Sequence, residues 1–162
     1  MTTLLTPPMT IAHLTVDDLP LCEPFGQAFH AEKAIPGVFN LAHFLTNWER
    51  FLTSGLGTIL GLWRHDVLVG GIGGVVTPDL TTGAFVVSEL FWYVQPDARH
   101  GTWPIRLITE LKLWGLAHGA TRLRMVHLLM PNESPSTVKL SHVYRLMGLR
   151  AIEVAYDGEI KE

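Results

Sequence analysis

The sequence has little cysteine, little charge and no long apolar run, and each shortage excludes a class of protein. Its 162 residues include one cysteine, Cys22, which excludes a disulfide framework and a cysteine-based zinc cluster. No apolar stretch approaches the roughly 18–20 residues of a membrane span. The first residues have neither the basic start nor the apolar run of a secretory signal. These absences predict a cytoplasmic protein with no membrane partner.

The chain does contain enough apolar material for one full core. Hydrophobic residues make up 48% of the sequence and charged residues 17%, with a mean hydropathy of +0.25. This composition excludes an intrinsically disordered chain. Because the length is that of one ordinary domain, we expect a single domain over residues 1–162.

The net charge of −3 is unevenly distributed along the chain. Residues 99–150 carry a net charge of +6, while the rest of the chain carries −9. Because its net charge is slightly negative, the chain is not expected to bind the phosphates of a nucleic acid through charge alone. The basic stretch suits one small polyanion, and a solvated helix face is the alternative interpretation.

Hydrophobic periodicity and turn residues predict an α/β domain. A helix is expected over 41–54, because its apolar residues recur at helical spacing and Gly55 follows as a cap. Short connections predict that the next three strands form an antiparallel meander. The predicted strands are 11–14, 58–64, 67–77, 84–94, 123–129 and 151–156, and the predicted helices are 17–30, 41–54, 104–118 and 134–147. The resulting order is β-α-α-β-β-β-α-β-α-β.

Several catalytic and nucleotide-binding signatures are absent. The glycines at 70, 71, 73 and 74 lack the spacing of a dinucleotide-binding turn, and no helix follows them. They indicate instead a strand that another backbone or a ligand approaches closely. The eight histidines show no metal-binding spacing, so no metal site is expected. A P-loop and a G-x-S-x-G nucleophile are also missing.

Residues 89–119 are the most informative segment. A long strand ends at Val94, passes through a turn containing Arg99 and Gly101, and leads into a helix. The start of a helix presents unpaired N–H groups and a positive dipole, which suit a pyrophosphate. Arg99 and Arg106 would add positive charge there. An ordinary strand–turn–helix connection is the alternative.

This second half of the chain resembles the GCN5-related N-acetyltransferases, or GNAT family. Val94, Pro96 and Arg99 match the family motif V-x-P-x-x-[RQ]-x-x-G-x-[GA], and a leucine-bearing helix follows. Asn132 resembles the family's asparagine after the fifth strand, and Tyr144 begins a segment similar to its Tyr-x-x-x-Gly-Phe ending. The resemblance implies the acyl-CoA N-acyltransferase fold, with a mixed central sheet flanked by helices. Because the chain is short and its motif departs from the family pattern, it also resembles GNAT-like chains encoded by bacteriophages.

The resemblance implies acetyl-CoA as co-substrate and assigns the residues that hold it. The strand before the motif would pair its backbone with the pantetheine arm, and the following loop would face the pyrophosphate. The cofactor-binding residues expected on this basis are Phe91, Trp92, Tyr93, Val94, Arg99, His100, Gly101, Thr102, Trp103, Arg106 and Asn132.

Glu89 and Tyr144 are the catalytic residues that the resemblance implies. An amine must lose a proton before or during attack on a thioester. A carboxylate between apolar neighbours, as Glu89 is, is expected to have a raised pKa, which would suit it to taking that proton directly or through water. Tyr144 would protonate the leaving thiolate, and Ser88 and His127 are second choices. An edge carboxylate at Glu89 and a core aromatic at Tyr144 are the alternatives.

The predicted activity is acetyl transfer to a primary amine of a small molecule or a protein, by direct attack in a ternary complex. The apolar first helices are expected to form the wall on the acceptor side. Phe29, Phe39, Trp48 and Phe51 are candidates for that wall, with core packing as the alternative.

The motif departs from the family at its two glycines. Thr102 and Pro104 occupy those positions, and Pro104 has no N–H to donate to a phosphate. A catalytically degenerate GNAT-fold protein with a structural or interaction role therefore stays open. A module for another phosphate ligand at the same helix terminus is a third possibility. The apolar final strand also leaves a homodimer open.

Overall fold

The structure is a computed structural model that describes residues 8–33, 35–128, 139–153 and 160. The backbone divides into two compact units, Met1–Val126 and His127–Glu162. The second unit contains one helix among its described residues, α4, Lys139–Leu146. The sheet and the other helices belong to the first unit.

The first unit is built on a five-stranded mixed sheet in the order β1-β2-β3-β4-β5. The first four strands pair antiparallel, and β4 and β5 pair in parallel. The predicted meander and the predicted mixed central sheet are therefore confirmed. The strands are β1 Met9–His13, β2 Gly57–Arg64, β3 Val67–Pro78, β4 Phe85–Val94 and β5 Arg122–Arg124.

Helices cover both faces of this sheet. The helices are α1 Glu23–Lys33, α2 Leu41–Ser54 and α3 Trp103–Ala117, with short 3-10 turns at Val16–Cys22 and Pro96–Ala98. A Cβ atom on Gly73 would collide with Trp48 of α2, whereas one on Gly74 would collide with Leu111 of α3. Because successive strand residues point to opposite faces, α2 and α3 lie on opposite sides of the sheet. None of the helices in the described ranges combines the length and apolar character needed to cross a membrane.

The α2 helix has the bounds that its sequence predicts. The Asn40 side chain accepts a hydrogen bond of 3.0 Å from the His43 N–H and so caps the first turn. Gly55 ends the helix in the left-handed conformation, with a φ of 71°. The apolar face places Trp48 in the core, where its exposure is 5%.

The first predicted helix, 17–30, is wrong in its extent and type. The chain forms the 3-10 turn Val16–Cys22 and then α1, which continues to Lys33. Pro20 and Pro24 each lack the N–H that a continuous α-helix would use, so the two segments remain distinct.

Other predicted bounds also differ from the structure. The strand observed is Arg122–Arg124, so residues 125–128 of the strand expected at 123–129 are not in a strand, and neither are residues 151–153 of the last predicted strand. Residues 154–156 and residues 134–138 of the last predicted helix lie outside the described residues.

The glycine run of β3 lets neighbouring groups approach closely, as predicted. A Cβ on Gly70 would lie 2.7 Å from the Tyr93 carbonyl oxygen, so the β4 backbone needs this space. A Cβ on Gly73 would lie 2.4 Å from the Phe91 ring and 2.6 Å from the Trp48 ring. The glycine run therefore leaves room for the β4 backbone and for the rings of Phe91 and Trp48.

Candidate active site

Strands β4 and β5 pair over only three residues each. The pairing ends at Ser88 and Arg124, although β4 continues along β3 to Val94. Beyond Ser88, no strand among the described residues lies on that side of β4. Among the described residues, the two strands therefore form a fork, and we call the edge of β4 that faces this fork the open edge.

The backbone groups that face this open edge follow from the ladder pattern. The Gln95 N–H donates a hydrogen bond of 2.9 Å to the Val69 carbonyl of β3. Because antiparallel strands bond through alternate residues, Phe91 and Tyr93 direct their backbone groups towards β3. Trp92 and Val94 direct theirs towards the open edge.

Glu89 lies where β4 and β5 part. Its side chain is 5% exposed, and its Oε2 accepts a hydrogen bond of 2.9 Å from the Val126 N–H. A side-chain oxygen thus takes the place of a strand carbonyl, which explains why β5 ends earlier than predicted. Burial raises the pKa of Glu89 to about 7, although the hydrogen bond from Val126 opposes that rise.

A β-bulge beside Glu89 changes the direction of the next side chains. Glu89 pairs with Gly74 and Phe91 pairs with Gly73, so Leu90 is the extra residue. Before the bulge, Val87 packs against α3 at Gly115. In a regular strand, residue 91 would face the same side. The bulge instead turns Phe91 to the other face, against Trp48, with ring centroids 5.4 Å apart.

The loop from Arg99 to Pro104 leads into the N-terminus of α3. Gly101 adopts a φ of 67°, and the Thr102 side chain makes no capping hydrogen bond. Trp103 and Ile105 carry N–H groups that have no acceptor within the helix. Pro104 between them carries none. The helix start therefore offers fewer donors than a motif with two glycines would.

The two arginines of this region have different surroundings. The Arg106 guanidinium lies 4.3 Å from the centre of the Trp103 ring, and its side chain is exposed beside the helix start. The Arg99 guanidinium forms an ion pair with Glu32 of α1, and its Nε donates to the Val94 carbonyl at 2.6 Å. Arg99 therefore connects the loop to β4 and α1.

The first unit contains most of the predicted site residues. It contains Glu89, Ser88, the four residues 91–94 of the β4 edge and the loop 99–104, in which His100 is exposed. Tyr144, in α4, and His127 belong to the second unit. Asn132 lies outside the described residues.

A cavity of about 450 Å³ lies between α1, α2 and the bulge of β4. All four predicted wall residues line it, and Trp48 and Phe29 also belong to or pack on the core. Sequence reasoning missed His30 and Phe44, although the position of Phe44 on the apolar stripe of α2 was a signal for it. The described residues lining the cavity are Phe25, Gly26, Phe29, His30, Val38, Phe39, Asn40, His43, Phe44, Asn47, Trp48, Phe51, Leu90, Phe91 and Tyr93.

The mixed sheet, its fork and the helices on both faces form the fold of the GNAT acetyltransferases, which confirms the fold implied by the sequence resemblance. No protein-family model matches the chain, and no curated protein matches its sequence. The likeness is to solved structures at low sequence identity.

Three solved structures illustrate this likeness. One is the aminoglycoside N-acetyltransferase AAC(6')-Iy in complex with CoA, at a TM-score of 0.74 and 17% identity, covering 98% of this chain and 99% of that one. Another is a predicted acetyltransferase with acetyl-CoA from Clostridium acetobutylicum, at a TM-score of 0.74 and 13% identity, covering 94% of this chain and 96% of that one. The third is a ribosomal-protein-alanine N-acetyltransferase from Brucella melitensis biovar Abortus 2308, at a TM-score of 0.67 and 19% identity, covering 95% of this chain and 100% of that one.

Proposed function

We propose that this chain transfers an acetyl group from acetyl-CoA to a primary amine. The observation that carries the proposal is the fork between β4 and β5, with a buried carboxylate, Glu89, at its apex. A buried carboxylate with a pKa of about 7 is suited to accepting a proton at neutral pH. In an acetyl transfer the attacking amine must lose a proton, and Glu89 would accept it.

The residues around the open edge fit the chemistry of CoA. The outward N–H of Val94 suits a carbonyl of a pantetheine arm, whereas the Val94 carbonyl already accepts from Arg99. The helix start supplies the N–H groups of Trp103 and Ile105, and Arg106 supplies a positive charge for a pyrophosphate. When bound there, acetyl-CoA would supply the activated acetyl thioester.

Arg99 has a positioning role in this proposal as well as its predicted contact with the cofactor. Its ion pair with Glu32 and its bond to Val94 fix the loop that precedes α3. His100, Gly101 and Thr102 complete that loop and remain predicted cofactor contacts. Asn132 remains one on the family resemblance alone.

Glu89 acts as the general base in the proposed reaction. Its Oε2 is held by the Val126 N–H, which leaves Oε1 to accept a proton. Glu89 is not among the described residues that line the aromatic cavity, so a water molecule is the expected carrier between the amine and the carboxylate. Tyr144 is the proposed donor of a proton to the departing thiolate, as the family resemblance implies.

Direct transfer is favoured over a covalent acyl-enzyme. Cys22 is the one cysteine of the chain, and its side chain is 1% exposed. Burial raises the pKa of its thiol to about 12, so the nucleophilic thiolate is not formed at neutral pH. The amine itself is therefore the proposed nucleophile.

A catalytically degenerate protein is the second candidate, and one observation favours it. Pro104 is the second residue of α3 and removes an N–H from the group that would face a pyrophosphate. Weak or absent binding of CoA would follow if the remaining donors and Arg106 did not compensate.

The two candidates are separated by measuring the release of free CoA thiol from acetyl-CoA with a mixture of small primary amines. We expect amine-dependent release, reduced by Glu89→Gln and Tyr144→Phe in proteins that remain folded. Glu49→Gln, on the exposed side of α2, is the matched control and should retain full turnover. Full turnover in both site variants would contradict the assigned roles, and absence of both release and acetyl-CoA binding would favour the degenerate protein.

A further inference from the structure

The cavity between α1, α2 and β4 is walled by aromatic rings that contact one another. Phe44 is central to this wall, with ring centroids 5.6 Å from Phe39, 6.1 Å from Trp48 and 6.1 Å from Phe91. Such offset and tilted arrangements are the favourable geometries for aromatic pairs. The rings of Phe39, Phe44 and Phe91 are half-buried, so part of each remains accessible from the cavity.

Two glycines are needed to bring these rings together. A Cβ on Gly26 of α1 would lie 2.3 Å from the Phe39 ring, and one on Gly73 would lie 2.4 Å from the Phe91 ring. Both contacts are too short for any other residue without movement of a ring. The aromatic wall therefore depends on α1 and β3 as well as on α2 and the bulge.

The charge of the cavity wall is as informative as its shape. None of the described residues that line it is an aspartate or a glutamate. Burying a cation away from water is costly unless an opposite charge or hydrogen bonds compensate. A ligand with several ammonium groups would therefore leave charges unpaired here, whereas a flat apolar body would be well accommodated.

His30 is one of several polar residues that line this largely aromatic wall, together with Asn40, His43, Asn47 and Tyr93. Its Nδ1 is buried and has no hydrogen-bond partner among the described residues, and its ring contacts Phe39 at 5.7 Å. A buried ring nitrogen without a partner carries a free-energy cost that a ligand hydroxyl would remove. The cavity thus combines stacking surfaces with several polar side chains, and the His30 Nδ1 is the buried atom among them with which a ligand could form a hydrogen bond.

We propose that this cavity selects an amine on a single aromatic ring, preferably hydroxylated, as the acetyl acceptor. The proposal rests on the proposed acetyl transfer. It is supported by the lining of the cavity by Leu90 and Phe91, which belong to β4, the strand whose edge the proposed cofactor site uses. Its volume of about 450 Å³ lies within the roughly 300–1,000 Å³ typical of small-molecule sites. The aromatic body would lie against Phe39 and Phe44, and its hydroxyl would pair with His30.

The test compares four amines with the purified full chain: tyramine, phenethylamine, spermidine and kanamycin. Turnover is followed as release of CoA thiol, and binding without acetyl-CoA is followed by calorimetry. We expect kcat/KM for the two aromatic amines to exceed that for spermidine and kanamycin by at least about tenfold, with tyramine above phenethylamine. His30→Phe should abolish the difference between the two aromatic amines.

Two matched variants connect the preference to the cavity. Phe39→Ala is expected to raise the KM for tyramine on the order of tenfold. Phe85→Ala removes an exposed phenylalanine at the start of β4, outside the cavity, and should leave KM unchanged. Melting curves of both variants verify that they are folded.

Each outcome bears on a different part of the account. Faster transfer to spermidine or kanamycin would overturn the proposed acceptor class and leave acetyl transfer intact. Binding of tyramine that Phe39→Ala weakens, without transfer to any amine, would support the cavity and contradict the proposed function. If tyramine neither binds nor reacts, the proposed acceptor is wrong.

Discussion

The carboxylate of Glu89 should make the stability of the protein depend on pH in an unusual direction. Burial raises its pKa to about 7 from the usual 4.5. At about 1.4 kcal/mol per pH unit, that difference corresponds to roughly 3 kcal/mol of folding free energy. The side chain is almost wholly buried, so solvent screens little of this cost.

The direction follows from where the proton is held. Below about pH 4.5, Glu89 is protonated in the folded and the unfolded chain, and burial of the neutral acid carries no charge penalty. Between about pH 4.5 and 7, the unfolded chain loses the proton and the folded chain keeps it. This contribution to stability therefore decreases as pH rises, and it is lost above about pH 7.

Glu89→Gln removes the charge and keeps an oxygen that can accept from the Val126 N–H. We expect the free energy of unfolding of this variant, relative to the unmodified protein, to increase by about 2–3 kcal/mol between pH 5 and pH 8. The added amide contributes an offset that does not depend on pH, so the change with pH is the informative quantity.

Urea unfolding followed by tryptophan fluorescence at several pH values measures this difference. Exposed Glu49→Gln is the matched control and should show no such trend. A constant difference between Glu89→Gln and the unmodified protein from pH 5 to pH 8 would refute the account of a buried, proton-retaining carboxylate.

Three other predictions test separate parts of the structure. Turnover of the unmodified protein should rise with pH through about 7, where Glu89 becomes ionised and able to act as a base, and a pH profile that stays flat would contradict this role. Arg106→Ala should weaken acetyl-CoA binding several-fold by calorimetry and reduce its salt dependence, whereas Lys112→Ala, farther along α3, should not. Gly73→Ala should lower the free energy of unfolding by roughly 1–3 kcal/mol, because its Cβ would collide with Phe91 and Trp48; unchanged stability would contradict the tight seating of these rings.

The parts of the fold that local chemistry specifies were predictable from the sequence. The α2 helix was predicted at its observed bounds from its apolar stripe and its Gly55 terminator, both of which act within a few residues. The meander was predictable for the same reason, since short connections join antiparallel neighbours. Pro20 and Pro24, which divide the first helical segment, are likewise visible in the sequence.

The features that escaped prediction depend on residues far apart in the chain. β5 ends early because the Glu89 side chain, 37 residues before Val126, accepts its N–H. Arg99 contacts Glu32 across 67 residues, which no local pattern indicates. The family resemblance placed Phe91 on the cofactor edge, and because the bulge at Leu90 breaks the alternation of β4, no local pattern indicated that its ring lines the aromatic cavity.

The most direct test of the central claim is a calorimetric titration of the full chain with acetyl-CoA, with ATP and NAD titrated in parallel. The account predicts saturable binding of one acetyl-CoA per chain, weakened by Arg106→Ala, and no comparable binding of ATP or NAD. A folded protein that gives no binding heat with acetyl-CoA at millimolar concentration, or that prefers ATP or NAD, would contradict the proposed acetyl transfer.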